Sequence, residues 1–195
     1  MPISASDIQN LRQETGVGLM DAKRALESAG GDMTKAIEHL RKAGQKIAAT
    51  KSQREIKEGA IGSYVHANGK VAALVALGCE TDFVARTEQF KQLASEIALH
   101  VAAMNPLYLN EKEIPADVLR AEEEIYREQL KNEGKPEAML EKILPGKLKK
   151  FYSTVCLINQ PYVRDDEKSI QDLLTETTQK LGENIQIVSF RRLAL

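Results

Sequence analysis

Tryptophan is missing from this chain of 195 residues, and cysteine occurs only twice, as Cys79 and Cys156. Two cysteines without CxxC or Cys/His spacing argue against a disulfide framework and give no zinc motif. Both sit in apolar, strand-like runs and are expected to be buried free thiols. An excess of one charge is also missing: 27 basic residues face 28 acidic ones, for a net charge of −1. That balance argues against a dedicated nucleic-acid binder and against a polybasic membrane-surface protein. No apolar run reaches membrane-spanning length, and Met1-Pro2-Ile3-Ser4 starts a folding pattern without a basic or apolar leader, so a cytoplasmic chain is expected. There is no P-loop, no Rossmann glycine triplet and no HExxH, and hence no expected cofactor or metal.

What is present is enough chain to bury a sizeable core. Residues 1–44 read as a three-helix bundle. Ser4-Ala5-Ser6-Asp7 resembles a capping box before Ile8 and Leu11. Thr15-Gly16-Val17-Gly18 ends that helix, Leu19 to Leu26 begin a second that stops at Gly30-Gly31, and Asp32 caps a third. In that third helix Met33, Ala36, Ile37 and Leu40 recur at helical spacing before Gly44. Residues 45–59, rich in lysine, are predicted to be a solvated linker helix.

From Ala60 the period changes to that of a strand, opening a core domain over 60–195. Ile61 to His66 and Val71 to Gly78 flank Asn68-Gly69, a strong hairpin signal. Phe90, Leu93, Ile97, Val101 and Met104 mark one face of a helix ending before Pro106. Two charged amphipathic stretches, Pro115 to Leu130 and Pro136 to Tyr152, predict a helical hairpin over about 115–153, which Pro145 should kink or split. Val155 to Ile158 reads as a strand, Ser169 to Leu181 as a helix and Ile185 to Leu193 as a last strand. The fold class is α+β, with helices dominating and one small antiparallel sheet.

No catalytic constellation emerges. Cys79 lies beside Glu80 and Asp82, but neighbouring carboxylates raise a thiol's pKa instead of activating it. Glu80 and Asp82 form no acid–base pair with an evident supporting group. His39, His66 and His100 fall on three different elements and read as surface or satisfied core, with His66, beside the hairpin turn, exposed enough to touch a partner. The basic linker (Lys46, Lys51, Arg54, Lys57) lacks interleaved aromatics and is diluted by Glu55 and Glu58. Leu19 and Met20 follow a glycine turn and read either as bundle core or as an exposed contact corner. Phe83, in the strand exit Cys79-Glu80-Thr81-Asp82-Phe83-Val84-Ala85-Arg86, also has two readings: a staple packed under the next helix, or a projecting aromatic anchor.

Two motifs bear a resemblance. TGVGLMDAKRAL (Thr15 to Leu26) and CETDFVAR (Cys79 to Arg86) resemble, in that order, the two signatures of the bacterial elongation factor Ts family. Similarity continues through GSYVHANGK, IALHVAAMNP, NEGKP, EKILPGKLKKF and QPYVRDD. The resemblance implies a ubiquitin-associated-like N-terminal bundle and a guanine-nucleotide exchange factor for elongation factor Tu. It implies that Thr81, Asp82, Phe83 and Val84 push into the nucleotide-binding domain of Tu near Mg²⁺ and phosphate. It implies further contacts from Arg12, Met20 and Lys23, with His66 as a candidate contact from the core. Such a factor does no covalent chemistry; it stabilises the nucleotide-free partner until GTP binds. Longer members carry two core copies and a further C-terminal module, whereas this sequence resembles the short form. The rival from another class is an adaptor or nascent-chain-binding module, for which the bundle alone suffices.

One expectation rests on the strand pattern itself. Val71, Ala73, Val75 and Leu77 point one way and Ala72, Leu74 and Ala76 the other, so both faces are apolar. One helix layer covers one face, and a second copy of the sheet would cover the other, which predicts a homodimer.

Overall fold

The computed structural model describes residues 3–195, so Met1 and Pro2 of the sequence reading lie outside the described residues. Along the chain the elements are α1 (Ala5–Thr15), α2 (Leu19–Ser28), α3 (Met33–Lys51), β1 (Glu58–Val65) and β2 (Val71–Cys79). There follow α4 (Asp82–Ala85), α5 (Glu88–Met104), α6 (Ala116–Asn132), α7 (Glu137–Val155), β3 (Pro161–Tyr162), β4 (Asp165–Ser169), α8 (Ile170–Leu181) and β5 (Gln186–Ala194). This is the mixed helix-and-sheet architecture expected. The main sheet has the order β1-β2-β5. Backbone bonds from His66 N to Val71 O and from Leu195 N to Lys70 O join the strands antiparallel at one end. Lys57 N to Cys79 O continues the first pairing at the other end. Gly69, at φ +68°, supplies the left-handed residue that the Asn68-Gly69 turn needs.

The chain divides into two compact units. The first takes the chain up to Ile61, then Ala76–Ala94 and Asp172–Val188; the second takes Gly62–Val75, Ser95–Gln171 and Ser189–Leu195.

In the first unit, Ser4 and Asp7 form the capping box: Asp7 N donates to Ser4 Oγ at 3.1 Å and Ser4 N to Asp7 Oδ2 at 3.0 Å. Ser4 Oγ also donates to Asp7 Oδ2 at 2.7 Å, and this bond first, then that from Ser4 N, holds the Asp7 carboxyl below its ordinary value. Asp32 caps α3 through Lys35 N at 3.1 Å. The helices α1–α3 enclose Leu11, Val17, Ala22, Leu26, Ala36 and Leu40, and each fully buried Leu or Val contributes about 1.5–3 kcal/mol.

Two readings of this region are corrected. The third helix does not stop at Gly44 but runs on to Lys51, and the linker helix expected over 45–59 is therefore its last two turns. Beyond Lys51 the backbone turns, and β1 has begun by Glu58. Gly44 sits buried inside α3 because α8 comes close: a Cβ there would lie 2.6 Å from Gln179 Oε1. That close packing offsets the roughly 1 kcal/mol cost of a helical glycine.

In the second unit the buried residues include Ala73 and Val75 of β2 and Ile97, Ala98 and Val101 of α5. The helical hairpin α6–α7 is present, with Leu130 and Leu140 buried near its turn. Arg127 Nη1 pairs with Glu141 Oε1 at 2.9 Å across it, and Lys147 Nζ lies 5.4 Å from the Tyr126 ring centroid. Pro145 does not split α7, which continues unbroken to Val155. Both Pro145 and Glu141, whose carbonyl loses its usual N–H partner, are exposed, so water can satisfy that carbonyl. Val155 to Ile158 is not a strand: α7 ends there, and a 3₁₀ turn covers Leu157–Asn159. Cys156 makes only an isolated parallel bridge to Tyr108. A second sheet, the β3–β4 ribbon pairing Pro161 with Ser169 and Tyr162 with Asp165, was not expected from the sequence.

Candidate functional site: the strand exit after β2

β2 ends at Cys79, and the chain turns at Glu80 into the single helical turn α4. Thr81 caps that turn, its Oγ1 accepting from Val84 N at 3.5 Å. Ala85 is buried under it, and Thr87 Oγ1 donates to Val84 O at 2.8 Å. These anchors leave Phe83 pointing out, with 80% of its surface accessible. The staple reading therefore fails, because the buried aromatic of this region is Phe90, fully enclosed on α5. Asp82 and Val84, on either side of Phe83, are half-buried. Asp82 Oδ2 pairs with Arg86 Nη2 at 2.9 Å, largely in solvent, where such a pair contributes at most about 1 kcal/mol.

The turn is held from behind chiefly by Glu183, a charge that the sequence pattern does not mark. Glu183 Oε2 accepts from Glu80 N and Thr81 N, each at 3.0 Å, and Thr81 Oγ1 donates to Glu183 Oε1 at 2.6 Å. In return Glu80 Oε1 accepts from Asn184 N at 2.7 Å. Arg54 Nη1 lies 3.4 Å from Glu80 Oε1, and Asn184 Nδ2 donates to Arg54 O at 2.8 Å. Hydrogen bonds to ionised groups contribute about 1.5–3 kcal/mol each, so this small turn has far more support than its own burial provides. Nothing local in the sequence marks Glu183, which lies 102 residues from Thr81.

The other residues implied by the family resemblance are also accounted for. Arg12 lies on α1, and Met20 and Lys23 on α2; all three are exposed and belong, like Phe83, to the first unit. Leu19 and Met20 are each 56% accessible, so the Gly18-Leu19-Met20 corner is surface and not bundle core. Lys23 Nζ reaches Glu27 Oε1 at 3.8 Å along the helix. His66 belongs to the second unit. It is exposed, with Nδ1 3.1 Å from Tyr64 Oη, and it borders an open cavity of about 370 Å³ with Val71, Leu99 and Ala102.

The thiol chemistry weighed for Cys79 has no geometry behind it. The side chain is fully buried and its Sγ donates to Thr81 O at 3.2 Å. Burial first, and the charge of Glu183 next, push this thiol up, away from the thiolate that a nucleophile requires. His100 is buried in the second unit and committed: Val163 N donates to Nδ1 at 3.2 Å, and Nε2 lies 3.0 Å from Gln160 Oε1. Among the described residues no cluster of three His, Cys, Asp or Glu is placed to hold a metal ion. Among them, too, no helix is long and apolar enough to cross a membrane.

Comparison with known proteins agrees with the two motifs. The sequence profile of the family described as Elongation factor TS matches residues 7–195. The chain is 52% identical to the Elongation factor Ts of Fervidobacterium nodosum over 195 residues, 100% of this chain and 99% of that protein. It is 53% identical to the Elongation factor Ts of Anaeromyxobacter dehalogenans over 193 residues, 99% of this chain and 88% of the relative. With that of Thermosipho melanesiensis it shares 52% identity over 188 residues, 96% of each chain. Full-length similarity of this strength, together with both signatures in order, means that the chain belongs to the elongation factor Ts family of translation elongation factors.

Proposed function

We propose that this chain is a guanine-nucleotide exchange factor that promotes GDP release from elongation factor Tu. The observation that carries the reading is Phe83, a large aromatic held outside the fold on a braced helical turn. An exposed aromatic costs solvation in the free protein and gains energy only when a partner covers it, which is how an interface anchor behaves. Thr81, Asp82, Phe83 and Val84 enter the Tu nucleotide-binding domain beside Mg²⁺ and the phosphates and displace the elements that hold them. Binding to nucleotide-free Tu and binding of nucleotide are then mutually weakening, by linkage, until GTP displaces the factor. No covalent step is involved, so the chain acts as a binding protein and not as an enzyme.

The bundle α1–α3, read as ubiquitin-associated-like, docks on the same Tu domain through Arg12, Met20 and Lys23, supported by the exposed Leu19–Met20 corner. His66 adds a contact from the core. The chain works in the cytoplasm, without direct contacts to nucleic acid or membrane. It also pairs with a second copy through the core sheet. Supporting this, Val65, Leu74 and Leu193 of the second unit's strands are exposed, while Ala73 and Val75 on the other side of β2 are buried. Light scattering at low micromolar concentration should then report about twice the chain mass of 21.6 kDa; a clean monomer defeats the pairing and leaves the exchange reading standing. The exchange reading is tested by release of labelled GDP from elongation factor Tu with and without this protein. Unchanged release overturns it.

A further inference from the structure

We propose that Glu183 is a positioning residue for Phe83: from the turn between α8 and β5, its carboxylate fixes the strand exit so that α4 presents the ring ready for docking. The inference rests on the exchange reading above and adds to it the device that keeps the anchor in place.

The geometry is a reciprocal clamp. Glu183 takes the N–H groups of Glu80 and Thr81 and the Thr81 hydroxyl, while Glu80 takes the N–H of Asn184. Each carboxylate thus closes the other segment's turn, and two loops far apart in sequence become one rigid junction. The Thr81 hydroxyl has a double role, donating to Glu183 at 2.6 Å and capping α4 at 3.5 Å. The direction of Phe83, two residues on, follows from that cap. The junction also reaches the bundle side of the same unit. Asn184 Nδ2 donates to Arg54 O, Gln186 Nε2 donates to Ser52 O at 3.1 Å, and Lys51 Nζ donates to Gly182 O. The α3 end and the Phe83 turn are therefore tied to one short stretch, Gly182 to Gln186.

Such a clamp does little for the fold's core, since the residues it joins lie at strand and helix ends. What it does is restrict conformations. A four-residue helix has no stability of its own, so without Glu183 the exit samples other turns. An anchor competent for only part of the time lowers apparent affinity by that fraction, while the complex once formed is unchanged.

The test uses the full chain as wild type, Glu183→Ala, Glu183→Gln, Phe83→Ala and the double variant Glu183→Ala/Phe83→Ala. Stimulated GDP release from elongation factor Tu is titrated against each. Hydrogen exchange of the Glu80 and Thr81 amides is measured in the free protein. Loss of the clamp should raise the half-saturating concentration about tenfold in Glu183→Ala with the saturated rate kept. Glu183→Gln keeps an oxygen for both N–H groups and should show only about a threefold rise. The double variant should lose clearly less than the two single losses combined, because Glu183 acts through the turn that carries the ring. Additive losses, or an unchanged half-saturating concentration in a folded Glu183→Ala, overturn the proposal. If Glu183→Ala does not fold, Glu183→Gln carries the same readouts, and no rise there with unchanged amide exchange overturns it. If the wild type fails to stimulate GDP release, the exchange reading falls by itself. The amide measurement still decides the clamp: exchange as slow in the variants as in the wild type overturns it.

Discussion

Replacing Phe83 with alanine separates an interface role from a folding role unusually well. The ring is 80% accessible, so its removal uncovers almost nothing in the free protein. The cap from Thr81, the buried Ala85 and the Glu183 bonds all remain. The unfolding free energy should therefore stay within about 0.5 kcal/mol of wild type, as for a surface substitution. The interface cost is another matter. A phenylalanine has about 150–250 Å² to bury, and four-fifths of it is available to a partner. At about 25 cal/mol per Å² that gives about 3–5 kcal/mol for the whole residue as an upper range. The methyl and backbone that alanine retains reduce this to about 2–4 kcal/mol, the range of a central anchor. At about 1.4 kcal/mol per decade, GDP release measured by stopped-flow fluorescence below saturation should slow by between about thirtyfold and several hundredfold. A variant with an unchanged melting curve and unchanged exchange would refute the reasoning, because an exposed ring with no effect on the partner is no anchor.

Met20→Ala, at the exposed α2 corner, should likewise leave folding unchanged while weakening binding to elongation factor Tu by about 1–2 kcal/mol; calorimetry showing wild-type affinity would remove that corner from the interface. Gly59→Ala should destabilise the fold by about 2 kcal/mol or more, because the new Cβ would meet the backbone carbonyl of Leu77, which cannot swing aside as a side chain can; a denaturation midpoint equal to wild type would contradict it. Stability should also fall below neutral pH through His100, whose burial lowers its pKa from the ordinary 6.5. Folded His100 stays neutral where the unfolded chain takes up a proton, so its contribution is complete above about pH 6.5 and shrinks as pH falls from there to the folded value, by at most about 1.4 kcal/mol per pH unit. Asp7, Asp32 and Glu38 are held below their ordinary values and titrate beneath this window. Denaturant midpoints that do not change between pH 7 and 5 would show that His100 takes a proton in place.

Much of the chain was legible because its signals are local. Ser4 and Asp32 cap the helices they precede, Asn68-Gly69 turns the hairpin, and the spacing of Phe90, Leu93, Ile97 and Val101 draws one buried face of α5. The failures share a cause, which is a partner distant in sequence. Gly44 looked like a stop because its company, Gln179 on α8, arrives 135 residues later. Asp165–Ser169 carries the composition of a loop, yet it pairs with Pro161–Tyr162 as a polar ribbon. Val155 to Ile158 has an apolar run, but it begins at the end of a helix, and Val155 and Cys156 are buried in a cluster with Ile114, against Tyr108 and Leu119.

At the site the same limit decides what a pattern can reveal. Leu19 falls three and seven residues before Ala22 and Leu26, so periodicity assigns all three to one buried face. Ala22 and Leu26 are buried, but Leu19 lies on the first turn of α2, beyond the reach of α1 and α3, and stays exposed. Phe83 is the converse case. No periodicity reaches it, so pattern alone allows both readings, whereas in the fold Phe90 fills the interior that a staple would need. Sequence pattern counts apolar residues and their spacing, whereas exposure depends on whether another element covers them. A residue kept for a partner outside the chain breaks that correspondence, which is why the motif pointed to the site while the exposure of Leu19, Met20 and Phe83 had to come from the fold.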